Sequence, residues 1–128
     1  MELPIIEQAI SFDDNVENPT FCFKYLSKAS IRDCRDHKFF YEFLMRLQKL
    51  SEAGWNKIRT DNRHGIGLEQ IPIKQIKKSM PKCVTPDVKK LDVFRVNGRN
   101  NVFVGKQIKT VFRVFFIEAR FGDIYDHN

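Results

Sequence analysis

Residues 91–117 read LDVFRVNGRNNVFVGKQIKTVFRVFFI. Two runs rich in Val and Phe flank Asn97-Gly98, a dipeptide that accepts the positive backbone angles of a tight hairpin turn. A third run, Val111 to Ile117, follows after Lys109-Thr110. Phe112, Val114 and Phe116 alternate onto one face of it, and Val111, Phe115 and Ile117 onto the other. Apolar on both sides, this run reads as a central strand of an antiparallel sheet.

Upstream, the helical period takes over. In DHKFFYEFLMRLQKLSEAG, Phe40, Phe43, Leu44, Leu47 and Leu50 fall at helical spacing, with Glu42, Arg46 and Lys49 on the polar side. The spacing predicts a helix over 39–53. Asp36 is placed to accept the free N–H groups of its first turn, and Gly54 to close its end. Trp55 and Ile58 continue into a short helical turn. Before them, Phe21, Phe23 and Tyr25 alternate with Cys22, Lys24 and Leu26 as a strand, and Ser30, Asp33 and Asp36 are candidate helix caps. The stretch RTDNRHGIGLEQ reads as a glycine-bearing loop. IPIKQIKKSMP reads as a short helix stopped by Pro81, with a strand over 69–73 as the competing assignment.

These elements add up to an α+β fold: an N-terminal strand and helices packed on a C-terminal antiparallel sheet. The 128 residues suit one domain, and twelve Phe supply core material. The expected organisation is an acidic arm over residues 1–20 and a single α+β domain over 21–128.

Charge is unevenly divided. Residues 1–23 carry five acids and no Lys or Arg, whereas 24–128 hold 22 basic and 11 acidic residues. So basic a body suggests a polyanionic partner, RNA or DNA. No apolar run approaches a membrane span, and MELPIIEQAI lacks the positive start of a secretory signal, so a cytoplasmic protein with no membrane partner is expected. Cys22, Cys34 and Cys83 form no CxxC pair, which supports neither a zinc site nor a disulfide framework. No phosphate-binding loop, GxSxG or HExxH motif occurs.

Arg95, Lys106 and Arg113 lie within strand-like runs. A charge is costly to bury alone, so each has to reach an edge, an acid or a surface groove. With Arg99 and Lys109 near the hairpin ends, and Arg63 in the loop, they are candidate phosphate contacts. His64 is a candidate general acid or base near neutral pH. Arg120 and Tyr125 follow the third strand and stand where a reacting group could be held at the sheet rim, and His127 closes the chain.

The order strand, long helix, short helix, then three or four antiparallel strands resembles that of the RelE/ParE superfamily of bacterial toxins. FRVNG…TVFRVFFIEARFGDIY is similar to their C-terminal half, where an arginine-bearing strand runs into a phrase matched here by Ala119 to Tyr125. The resemblance spans roughly residues 21–127. It implies an RNA-cleaving toxin without metal or other cofactor, with an antitoxin protein as possible partner. Arg113 would then stabilise phosphate charge, and Arg120 and Tyr125 would lie by the scissile bond. The alternative is a non-catalytic nucleic-acid-binding or protein-interaction module of a phage or mobile element.

Overall fold

A computed structural model describes residues 17–62 and 65–127. The elements are β1 (Thr20–Cys22), α1 (Lys28–Asp33), α2 (His37–Ala53), α3 (Trp55–Thr60), β2 (Glu69–Pro72), a 3-10 turn (Ile73–Gln75), β3 (Lys90–Arg95), β4 (Val102–Ile108) and β5 (Val111–Ile117). The fold is α+β, with one five-stranded sheet in the order β1-β5-β4-β3-β2. Its C-terminal strands are antiparallel, and β1 joins β5 in parallel, so the sheet is mixed. Of the arm expected over 1–20, residues 1–16 lie outside the described residues. Glu17 accepts from the Trp55 amide, and Asn18 Nδ2 donates to Ser51 O.

The first strand is shorter than the alternation of residues 21–26 suggests. Past Cys22 the chain turns, and the outer edge of β5 needs other partners. Ser27 N–H donates to Phe115 O at 2.9 Å, and the Ile117 N–H donates to Ser30 Oγ at 3.0 Å. Ser30 is therefore not a cap. Ser27 caps α1, its hydroxyl accepting from Ser30 N–H.

Asp36 caps α2 as its position predicts, accepting from the Lys38 and Phe39 amides, and Gly54 ends the helix at φ 86°. The buried stripe, however, is Phe39, Phe43, Arg46 and Leu50, while Phe40 and Leu44 are exposed. It runs one residue away from the all-apolar reading, because a helix face needs positions three and four apart and Arg46 fills one of them. Over 69–76 the competing assignment holds: β2 pairs with β3, and only a single 3-10 turn follows.

Both sheet faces are covered. Phe39, Phe43, Leu50, Trp55 and Ile58 from the helices pack on Phe94, Phe103 and Phe112. On the other face, Ile71, Leu91, Val104 and Phe116 meet Ile124 and residues of the 73–88 segment. Trp55 is tied across the core by its Nε1–H, which donates to Thr110 O at 3.0 Å.

The simple alternation expected for β5 fails at one point. Val104 pairs with Phe116 and Gly105 with Val114, leaving Phe115 as an extra residue. This bulge puts Phe115 and Phe116 together on the second face and returns Ile117 to the helix side with Phe112 and Val114. Backbones approach closely there: a Cβ on Gly105 would lie 1.9 Å from Arg113 O. Replacing Gly105 by Ala is therefore expected to destabilise the fold by about 2–3 kcal/mol in urea unfolding. Gly98→Ala, which meets nothing within 4 Å but holds φ +70°, should cost only about 1 kcal/mol.

Candidate functional site

Strand β5 runs directly into Glu118, which has no exposed surface. A buried carboxylate has to be met by donors. Glu118 Oε1 accepts from Val102 N–H at 3.2 Å and Oε2 from Gly122 N–H at 3.0 Å. Both oxygens lie within 3.0 Å of His127 Nε2. Toward an ionised Glu118, Nε2 has to donate, which makes Nδ1 the basic nitrogen of a neutral ring.

The approach of His127 is set by a turn. Gly122 adopts φ 87°, and Asp123 N–H closes back on Arg120 O at 3.1 Å. Ile124 then inserts into the second core and is 1% exposed. Lys77 N–H donates to Ile124 O at 2.7 Å and Lys77 Nζ to Gly122 O at 3.0 Å. Surface ion pairs Lys77–Asp126 and Lys78–Asp123 add little energy but occupy both acids of this turn.

The imidazole lies near-parallel to Phe121 at 4.2 Å and to Tyr125 at 4.3 Å between centroids. Two rings cannot occupy the same face at that spacing, so His127 is held between them. Phe121 is 56% exposed and presents its outer face to solvent. The cluster opens on a polar cavity of about 440 Å³ lined also by Gln70, Gln75, Arg95 and Asn100. A carboxylate-oriented imidazole, a phenol, a guanidinium and an exposed aromatic face are thus gathered at the end of one rigid strand. Such a set can move a proton and balance developing negative charge.

Of the residues singled out from sequence, Tyr125 and Arg95 line this cavity. Arg120 is exposed beside the turn and is not part of the lining. Arg113 sits at the other end of β5, half-buried and directly opposite Lys106 on β4. Two like charges so placed repel. Lys106 Nζ reaches Lys90 O at 3.4 Å, and Lys109 is exposed at φ 57° in the β4–β5 turn. Arg99 stands on the hairpin, paired with Glu42 and stacked 5.4 Å over Phe39. Arg63 and His64 lie outside the described residues.

The described residues on either side are tied to one another. Asp61 accepts from Asn62 and Ile66 amides, and the Ile66 N–H, then that of Asn62, holds its carboxyl below the usual range. Gly67 is fixed by contact, since a Cβ there would lie 2.3 Å from Asn62 O. Gly65 O accepts from Arg46 Nη1 at 3.1 Å.

Glu118 was not among the candidates from sequence. Its signal is an acid placed directly after seven strand residues, where it either leaves the core or stays in it with partners. Among the described residues no group of three His, Cys, Asp or Glu is gathered to hold a metal, and no helix is long and apolar enough to cross a membrane. Comparison with protein-family models, with curated proteins and with solved structures finds no match.

Truncating Glu118 leaves two buried N–H groups and His127 without an acceptor. Glu118→Ala is therefore expected to lower stability by about 3 kcal/mol, and Glu118→Gln, which keeps one acceptor oxygen, by clearly less. Denaturant unfolding of the two variants against the parent chain checks the order.

Proposed function

We propose that the chain is a metal-independent endoribonuclease of the toxin type, acting at the C-terminal cluster. The observation that carries this reading is the Glu118–His127 pair, clamped between Phe121 and Tyr125 on a cavity that also holds Arg95. RNA contains its own nucleophile, so cleavage needs only proton transfer and charge stabilisation. His127 Nδ1 takes the proton of a 2′-hydroxyl, and the 2′-oxygen attacks the adjacent phosphorus. The bond to the 5′-oxygen breaks, and that oxygen takes a proton from the Tyr125 hydroxyl. The products are a 2′,3′-cyclic phosphate and a 5′-hydroxyl.

Glu118 acts as a positioning residue, fixing the ring and stabilising the imidazolium. Arg95 balances the charge on the phosphoryl oxygens, and the outer face of Phe121 offers a platform for a base. The basic body of the chain supports a polyanionic substrate. The element order, with β1 followed by helices and then four antiparallel strands, also supports kinship with the RelE/ParE toxins, and with it an antitoxin partner.

A second reading, a protein-interaction module, draws on α2. Phe40, Tyr41, Leu44 and Met45 are exposed along one side of it, and clustered exposed apolar groups mark contact surfaces.

Cleavage of a labelled RNA by the purified full chain separates the two. The expected result is cyclic-phosphate ends, with a 2′-deoxy substitution at the cut site abolishing the product. His127→Ala should lower the rate about 10²–10⁴-fold, with an unchanged circular dichroism spectrum showing that the variant is folded. No cleavage by the parent chain, or equal cleavage by folded His127→Ala, would sink the ribonuclease reading.

A further inference from the structure

Beside the acid–base cavity lies a second, smaller cavity of about 240 Å³, lined by Arg46, Arg95, Gly98, Arg99 and Asn100. Three elements each deliver one guanidinium to it: Arg46 from α2, Arg95 from the end of β3 and Arg99 from the hairpin loop. Arg46 is 6% exposed, and among the described residues its Nε has no hydrogen-bond partner. Its Nη1 donates to Gly65 O at 3.1 Å. Burial pushes this guanidinium below its ordinary range. A buried cation is costly unless an opposite charge meets it, and an anion in the cavity that Arg46 lines would supply that charge.

The other two arginines are held in place for such a ligand. Arg95 Nη1 donates to Asn100 Oδ1 at 2.6 Å. Arg99 is fixed by Glu42 and by Phe39 beneath it. Glu42 offsets one of the three positive charges, which leaves a net excess of two. Guanidinium groups arriving from three elements suit a tetrahedral oxyanion better than a planar carboxylate, whose two oxygens a single fork can already satisfy. Gly98 at φ 70° keeps the hairpin wall free of a side chain.

We propose that this notch is a phosphate subsite, which grips a nucleotide-chain phosphate next to the one that meets His127. Arg95 and Asn100 line both cavities, so the two form one track. The identity of the chain as RNA rests on the ribonuclease reading; the grip on phosphoryl oxygens does not. A strand laid along the track has one phosphate held by the arginines while its neighbour and a stacked base meet the C-terminal cluster. The notch thereby sets the register of cleavage.

The test uses the full chain and a fluorescent 2′-O-methyl oligoribonucleotide, whose blocked 2′-oxygen prevents cleavage. Binding to the parent is compared with Arg46→Met, which retains much of the volume, and with Arg95→Ala, which removes a half-buried group. Either substitution should weaken binding at least tenfold and reduce the slope of log affinity against log salt by about one. If Arg46→Met fails to fold, Arg95→Ala with Arg46→Lys carries the comparison, since Lys keeps the charge but not the planar fork of donors and should bind several-fold more weakly. Inorganic phosphate should compete only at far higher concentration, and a polyglutamate peptide should not compete comparably.

Affinity within twofold of the parent in folded variants overturns the proposal. So does inorganic phosphate binding tightly while the oligonucleotide does not, or polyglutamate binding as well at the same arginines. Intact arginine-dependent binding with no RNA cleavage counts against the ribonuclease reading alone. Intact cleavage with binding that does not depend on Arg46 counts against the notch alone.

Discussion

A carboxylate without exposed surface has to be surrounded by donors, and the way Glu118 meets this demand organises one end of the molecule. Its oxygens take a proton donor from the start of β4, one from the turn at Gly122 and the ring of His127. Its backbone joins in: Glu118 N–H donates to Val102 O, and Asn101 Nδ2 donates to Glu118 O. One residue therefore ties the hairpin, the last strand and the C-terminal segment together. Removing water strengthens each of these bonds and also makes each of them hard to lose. The His127 ring is held in one orientation by these contacts and by the flanking Phe121 and Tyr125 rings.

The bulge at Phe115 governs which face of the sheet each later residue of the strand meets. Up to Arg113 the last strand alternates simply. Beyond it, one extra residue reverses the faces, so Phe116 covers the second core and Ile117 the first. Without that reversal Glu118 would point away from the hairpin amide that it binds. Gly105 permits the close approach that the bulge requires, and Ser27 and Ser30 take up the backbone groups that β1 is too short to reach. The strand thus carries two separate basic or reactive regions. Arg113 faces Lys106 near its start, and the His127 cluster lies past its end.

Helix α2 is used on two sides. Its inner face packs Phe39, Phe43 and Leu50 into the core and brings Arg46 with them. The outer face leaves Phe40, Tyr41, Leu44 and Met45 in water. An arginine among core phenylalanines is a poor choice for stability alone. Its presence on the buried stripe, lining one small cavity with Arg95 and Arg99, is the observation on which the proposed phosphate notch rests.

Much of the architecture is legible in the sequence because it depends on local rules. Asn97-Gly98 marks the hairpin, Asp36 and Gly54 bracket the long helix, and period-two runs of Val and Phe mark the last strands. These signals need only a few neighbouring residues, and they establish an α+β chain whose last strand lies inside the sheet, between β1 and β4 rather than at its centre. What the sequence does not contain is decided by contacts between distant parts. Arg46 reads as a surface residue until the loop at Gly65 and the hairpin close over it. Glu118 reads as the end of a strand until Val102 and His127 arrive from 16 and 9 residues away to satisfy it. The bulge is silent because its cause is a register choice between two strands. Tyr125 and His127 are visible as polar residues at the end of the chain, but their stacking and the cavity they line exist only once the sheet is assembled. Side-chain type and period are written locally; burial and partnership of charge are settled by the whole fold.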